Sequence, residues 1–334
     1  MFRLPFTTNA ASRAALRQGP WSAQGARRCM SVRPQELSSL TPPPRKKVTI
    51  QTLHSMRKAN KPITMVTAYD YPTGQAASSS PLIDMILVGD SLSQVCLGFG
   101  STTQLTLEAM IHHASAVARG ATHPFRVVDM PFGSYHVSAE ETIRNATRLV
   151  REGGAEAVKM EGGKELAEIV HRLTELGIPV MAHIGLTPQR QSALSGFKVQ
   201  GKSVEGASKV LSDALALQDA GAFAMVVEAV PRELGKHITD KVKVPTIGIG
   251  AGPGTSGQVI VLEDLVGTWD GHKPKFVRRF ANVKEVRDIG IHKFGEAVRG
   301  GSFPHPEEES YTMDPQLWQQ FMQSQGDNNL ALSV

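Results

Sequence analysis

The chain is poor in cysteine, lacks any long apolar run, and has no acidic residue among its first 35 positions. Two cysteines in 334 residues, Cys29 and Cys96, exclude a disulfide-stapled scaffold of the secreted kind. No uninterrupted apolar stretch approaches the ~18–20 residues of a membrane-spanning helix, so the expected protein is soluble and has no membrane partner. The third absence is the most informative. Residues 1–35 hold Arg3, Arg13, Arg17, Arg27, Arg28 and Arg33 but no lysine, aspartate or glutamate. A formal charge of +5 and an isoelectric point near 9.2 would suit a nucleic-acid binder. With those six arginines set aside, however, 30 basic residues face 31 acidic ones. The body of the chain therefore has no electrostatic case for binding DNA or RNA.

The leader is rich in Arg, Ser and Ala, and its apolar residues are scattered rather than gathered into one run. That is the composition of an organellar transit peptide, here read as mitochondrial, rather than of a secretory signal; a disordered tail is the alternative. Cleavage is expected near residues 28–31, which places the mature protein in the mitochondrial matrix. Cys29 leaves with the leader, so Cys96 has no partner for an internal disulfide, which suits a reducing compartment.

Hydrophobic residues make up 41% of the chain, enough for a sizeable core. Pro42, Pro43 and Pro44, followed by Arg45, Lys46 and Lys47, read as a linker. Ile50, Leu53 and Met56 then recur at helical spacing. From Pro62 onward, short apolar runs alternate with longer helical patterns eight times. Strands are expected near 63–68, 85–89, 126–129, 157–160, 179–182, 224–228, 245–249 and 259–262. Continuous apolar runs mark parallel strands buried on both faces. The clearest helix begins at Ser138, which has capping-box spacing with Glu141; Ile143, Ala146, Leu149 and Val150 supply its apolar face, and Gly153 is placed to end it. A second helix is expected over 205–220, with Gly221 as its stop. This pattern predicts an α/β protein with a closed (β/α)8 barrel of the triosephosphate isomerase type; an open doubly wound sheet is the alternative. The expected division is a transit peptide over 1–35, a linker and short helix over 36–61, the barrel with a C-terminal helix over 62–312, and a peripheral tail over 313–334.

Acidic residues sit at one repeated structural phase. Asp90, Asp129, Glu161 and Glu228 each end or follow an apolar run, and His183 follows Val180-Met181-Ala182. In a barrel these strand ends converge on the catalytic face. One acid after a strand is as readily a helix cap as a catalyst, but four at the same phase point to a site. Carboxylates so close would repel unless a cation or shared protons intervened. Oxygen ligands without a cysteine cluster favour a hard divalent ion such as Mg²⁺. Lys159 shares a strand face with Glu161; it is placed either to pair with Glu161 or to hold a substrate carboxylate or oxyanion. His112 and His113 fall inside a helical pattern and read as structural. Gly252-Pro253-Gly254-Thr255-Ser256-Gly257 has the spacing of a dinucleotide loop but follows a late strand, which argues for a loop over the barrel mouth instead. Asn145-Ala146-Thr147 is a formal glycosylation sequon in a chain with no secretory signal, and carries no weight.

Taken in order, several motifs resemble those of the ketopantoate hydroxymethyltransferase family. They are Val88-Gly89-Asp90-Ser91-Leu92, Asp129-Met130-Pro131-Phe132, Lys159-Met160-Glu161-Gly162-Gly163 and His183-Ile184-Gly185-Leu186-Thr187-Pro188. Lys198-Val199-Gln200-Gly201, Glu228-Ala229-Val230-Pro231 and Ile247-Gly248-Ile249-Gly250-Ala251-Gly252 continue the series, and the similarity runs over residues 49–308. The resemblance implies a barrel of the phosphoenolpyruvate/pyruvate group that assembles as a homo-oligomer, typically a decamer. It implies Mg²⁺ held by Asp90 and Asp129, with Glu161 as a third acidic residue of the metal site, acting directly or through a bound water. Ser91 and Lys159 would hold the keto acid, with Asp90 and Asp129 also touching it. Glu228 would be the proton acceptor and His183 a further catalytic-site residue.

The implied reaction joins 3-methyl-2-oxobutanoate to the one-carbon unit of 5,10-methylenetetrahydrofolate, forming 2-dehydropantoate for pantothenate synthesis. The rivals are a Mg²⁺-dependent carbon–carbon lyase or mutase of the same barrel group, and a catalytically silent folate-binding barrel. The chain departs from the family at Ser93-Gln94, where Gly-Met is usual, and in the loop over 98–106, which lacks the usual Asp and Pro. These changes bear on one loop beside the site.

An acid-free leader ahead of a proline linker should be dispensable for folding. A chain beginning near Ser31 is expected to be soluble and as active as the full-length protein. Recovery from the soluble fraction and specific activity under matched expression would check this.

Overall fold

The computed structural model describes residues 45–330 apart from Asp270 and His272, so the leader lies outside the described residues. Eight strands form a closed parallel barrel in chain order: β1 Ile63–Thr67, β2 Met85–Val88, β3 Phe125–Asp129, β4 Ala157–Glu161, β5 Val180–Gly185, β6 Ala224–Glu228, β7 Thr246–Ile249 and β8 Gly257–Ile260. The helices are α1 Ile50–Lys58, α2 Tyr71–Ser79, α3 Leu92–Val95, α4 Leu107–Gly120, α5 Ala139–Arg151 and α6 Ala167–Glu175. They continue with α7 Val204–Asp219, α8 Arg232–Lys241, α9 Leu262–Val266, α10 Val283–Arg299 and α11 Pro315–Leu330. None is long and apolar enough to cross a membrane.

Strand alternation divides the apolar residues into two cores. Met65, Leu87, Val127, Met181, Val226 and Ile247 fill the barrel, whereas Val66, Ile86, Val128, Val158, Ala182 and Val227 pack outward beneath the helices. Burial on both faces explains why the strands read as unbroken apolar runs. Leu53 and Met56 of α1 join the inner core. The helix also contacts the chain just ahead of β6 and β7: His54 Nε2 lies 3.1 Å from Phe223 O, and Arg57 Nε donates to Val244 O at 2.8 Å. It therefore closes the amino-terminal end of the barrel and leaves the carboxyl end open for chemistry.

Local signals account for most boundaries. Ser138 caps α5 by accepting from the Glu141 N–H at 3.1 Å. The left-handed residue after α5 is Gly154 rather than Gly153, because the helix runs on to a C-cap at Glu152. Gly221, at φ +100°, follows α7 as expected.

Two strands differ from expectation. β5 continues through His183, Ile184 and Gly185, so His183 lies inside the strand rather than after it. Gly185 has φ +89° and ends the strand where no ordinary residue would sit easily. β8 begins at Gly257, and Leu262 already belongs to α9. Gly257 and Gln258 carry little apolar signal yet pair with Ile63 and Thr64 to close the barrel. A Cβ at Gly257 would collide with Ile63 O, so close approach at the seam requires glycine.

Because α1 plugs the end remote from the open mouth, its loss should affect stability rather than chemistry. Leu53 is fully buried; Leu53→Ala should cost about 2–5 kcal/mol, read from denaturant unfolding, with turnover of the folded protein unchanged.

Candidate active site

Asp129, Lys159, Glu161 and Glu228 stand at or near the carboxyl ends of β3, β4 and β6, and His183 in the middle of β5. Each lies two residues beyond an inward-facing apolar residue or a site residue: Val127, Ala157, Lys159, Met181 and Val226 precede them. Side-chain alternation therefore turns all five into the barrel. Register then sets their neighbours, pairing Asp129 with Lys159 and Glu161 with His183 across adjacent strands. Asp90 is not in a strand; it lies two residues past β2, where its backbone N–H donates to Asp129 Oδ2 at 2.9 Å.

Lys159 is the hub. Its Nζ is 3.1 Å from Asp129 Oδ1, 3.9 Å from Glu161 Oε1 and 2.9 Å from His183 Nδ1. The opposite ring nitrogen, His183 Nε2, is 3.1 Å from Glu228 Oε2. Glu228 is the more open acid, its side chain 14% exposed against 2% for Glu161.

Burial and charge act against each other here. Burial lowers the basicity of Lys159, but the carboxylates of Asp129, Glu161 and Asp90 outweigh it and hold the lysine above its usual range. Burial and Lys159 lower the basicity of His183, yet Glu161 and Glu228 bring it to about 9. Burial would raise the Glu161 carboxyl, but His183 and Lys159 hold it below the ordinary range. Asp90 goes the other way: burial, together with the charges of Glu161 and Asp129, pushes it well up.

These residues fit a divalent cation. With all four carboxyls ionised, two negative charges stay unmatched even when Lys159 and His183 are both protonated. Asp129 Oδ1 is buried, with the Lys159 ammonium 3.1 Å away as its neighbour. Among the described residues no three His, Cys, Asp or Glu side chains form a ready-made cage. Mg²⁺ does not need one, because it takes one or two carboxylates and completes its shell with water and substrate oxygens. Glu161 has little ligating capacity left: Oε2 accepts from the Gln189 N–H at 2.9 Å, and Oε1 faces His183 and Lys159. Asp129 is engaged as well, with Oδ2 accepting from the Asp90 N–H and Oδ1 facing Lys159, whereas Asp90 is held by Gln189 through Oδ2 and keeps its other oxygen for a cation.

Ser91 lies beside this cluster, with its Oγ 2.8 Å from Tyr69 OH. Three further residues, Tyr69, Tyr135 and Gln189, were not evident in the sequence. Tyr135 OH donates to Gln189 Oε1 at 2.5 Å, and Gln189 Nε2 donates to Asp90 Oδ2 at 2.8 Å. A polar residue directly after His183-Ile184-Gly185-Leu186-Thr187-Pro188 was the only available signal. The unusual loop is tied down by the residues that make it unusual: Ser93 Oγ donates to Ser101 O at 2.7 Å, and Gln94 Nε2 to Gly100 O at 3.3 Å. Gln191 Nε2 donates to Ser101 Oγ at 3.0 Å, joining this loop to the segment after β5.

The set-aside motifs fall outside this cluster. His113 Nδ1 is 2.6 Å from Tyr69 O, and Asn145 Nδ2 donates to Ser134 O from within α5. The glycine-rich loop joins β7 to β8 and opens no helix, so it lacks the setting of a dinucleotide site.

A closed parallel barrel with paired acids, a buried lysine and a histidine at its carboxyl end defines a (β/α)8-barrel enzyme equipped for acid–base chemistry on a small polar molecule. The chain belongs to the ketopantoate hydroxymethyltransferase family, whose profile matches residues 47–306. It is 51% identical over 263 residues to 3-methyl-2-oxobutanoate hydroxymethyltransferase of Emericella nidulans, covering 78% of this chain and 75% of that protein. It is 49% identical over 268 residues to the enzyme of that name from Thermoanaerobacter sp. strain X514, covering 80% of this chain and 97% of that one. Among solved structures, phosphonopyruvate hydrolase in complex with oxalate and Mg²⁺ superposes with a TM-score of 0.51 at 13% identity, covering 85% of this chain and 97% of that one. A 2,3-dimethylmalate lyase of the PEP mutase/isocitrate lyase superfamily gives 0.51 at 15%, covering 85% and 95%. At these identities the likeness shows the fold alone.

The carboxylates around His183 have a direct readout. In metal-free protein the ring should titrate near 9. Glu228→Gln removes one of the charges that raise it, so the midpoint should fall in a ¹⁵N NMR titration.

Proposed function

We propose that this chain transfers a hydroxymethyl group from 5,10-methylenetetrahydrofolate to 3-methyl-2-oxobutanoate, forming 2-dehydropantoate. The observation that carries this reading is the placement of Lys159 and Glu228 against the two ring nitrogens of His183, with Asp129 paired to Lys159. Family membership favours this transfer over the lyase and mutase reactions. A silent barrel would be expected to lack one of the matched acids or bases, and all are present.

Asp90 and Asp129 would hold Mg²⁺ directly, with Glu161 acting through water. When bound, the cation supplies Lewis-acid polarisation of the keto acid's carbonyl. Ser91 and Lys159 hold the keto acid, and Lys159 offers a fixed positive charge where negative charge gathers on the carbonyl oxygen. Glu228 removes the C3 proton. His183, beside the carboxylate of Glu228, orients it and moderates its charge. The resulting C3 nucleophile forms a bond to the folate's methylene carbon as one of that carbon's two bonds to nitrogen breaks. Water then displaces the second nitrogen and supplies the hydroxyl oxygen, and the proton taken by Glu228 and the one released by water end on the two nitrogens of the departing tetrahydrofolate.

The mitochondrial matrix is the proposed location, supported by the leader's composition. A homo-oligomer, a decamer by family resemblance, is the proposed assembly. No residue of α10 is buried, and its Val286, Ile289, Ile291, Phe294 and Val298 are exposed in a single chain, which supports burial against other copies.

Proton abstraction can be isolated from carbon transfer. With Mg²⁺ and 3-methyl-2-oxobutanoate in heavy water and no folate, the parent should exchange deuterium into C3. Glu228→Gln should lose that exchange while still binding both. Normal exchange in this variant would remove Glu228 from the role, and loss confined to His183→Asn would transfer it there.

A further inference from the structure

Gln189 is nearly fully buried and lies in the short 3₁₀ turn Pro188–Arg190 after β5. Its side chain makes three hydrogen bonds. Nε2 donates to Asp90 Oδ2 at 2.8 Å and to Met130 O at 2.9 Å, and Oε1 accepts from Tyr135 OH at 2.5 Å. Its own N–H donates to Glu161 Oε2 at 2.9 Å. The orientation of the amide is dictated by chemistry: Met130 O can only accept, so it needs the NH₂ end, whose second N–H then meets Asp90 Oδ2. A flipped amide would set its oxygen against the Met130 carbonyl. Tyr135 holds the other end with its single hydroxyl proton. The side chain therefore joins the Asp90 carboxylate after β2 to the backbone after β3, while the backbone of the same residue holds the Glu161 carboxylate of β4.

We propose that Gln189, held by Tyr135, is a positioning residue that fixes which oxygen of Asp90 is committed to the protein and which is free to take a divalent cation. The proposal rests on the reading of Asp90 as a cation ligand. Hydrogen-bond partners of metal-binding carboxylates act in this way, and their removal typically lowers metal affinity about 10–100-fold. Gln189 touches neither the reacting carbon nor the keto acid in this role; it acts through Asp90.

The test is calorimetric titration of the substrate-free protein with Mg²⁺, and with Mn²⁺ as a second probe. Gln189→Met keeps the length and volume, removes both side-chain donors and leaves the backbone bond to Glu161. It should weaken cation binding about 10–100-fold. Tyr135→Phe frees the amide while leaving it in place and should weaken binding less, in the same direction. It carries the test if Gln189→Met does not fold. Asp90→Asn should weaken binding strongly, and adding Gln189→Met to it should cause little further loss, because both act at one carboxylate. Parental affinity in Asp90→Asn would overturn the reading of Asp90 as a ligand. Weak binding in Asp90→Asn with parental affinity in both Gln189→Met and Tyr135→Phe would overturn the positioning role alone. Fully additive losses in the double variant would also overturn it, since Gln189 would then act elsewhere.

Discussion

Lys159 is the charge around which the mouth of the barrel is assembled. A buried ammonium is tolerated only where carboxylates compensate it, and Lys159 has Asp129 on one side and Glu161 on the other. The dependence is mutual, because those acids are buried too. Remove the lysine, and Asp129 and Glu161 are left facing each other and Asp90 in a site that excludes bulk water. The same nitrogen borders His183 Nδ1, which leaves His183 Nε2 directed at Glu228. A chain of alternating charge thus runs across β3, β4, β5 and β6, and every member depends on the register of those strands.

That register links the fold to the chemistry. A shift of one residue in β4 would turn Lys159 and Glu161 outward and bring Val158 and Met160 into the mouth. The inner apolar core beneath the site opposes such slippage, since Ala157, Met181 and Val226 occupy the layer below the catalytic groups. Closure by β8 on β1, made possible by Gly257, completes the ring that keeps the strand ends convergent. α1 seals the far end, so solvent reaches the interior from the catalytic side.

The charge balance also explains the different fates of the acids. Glu161 is saturated by His183, Lys159 and the Gln189 N–H, and stays ionised. Asp90 is driven towards protonation by its burial and then by its acidic neighbours Glu161 and Asp129. Glu228, farther out and more exposed, is the acid with room to meet a substrate.

Apolar runs at a regular spacing were enough to foretell eight parallel strands, because strands buried on both faces are apolar over most of their length. The same reasoning located Asp129, Glu161 and Glu228, since an acid that ends an apolar run can only lie at the rim. It misjudged β8, whose Gly257 and Gln258 pair by backbone alone, and the end of β5, where His183 reads as a break in an apolar run although its charge is met inside the barrel. Gln189 and Tyr135 could not be recognised locally: they are separated by 54 positions in the chain, and nothing in either neighbourhood calls for the other. By itself, then, the order of residues determined the barrel, its open face and the acids around it, because periodicity and strand ends are local properties. Which oxygen faces which donor was decided only by the folded barrel, because hydrogen bonds among Asp90, Tyr135 and Gln189 exist only after closure brings β2, β3 and β5 to one rim.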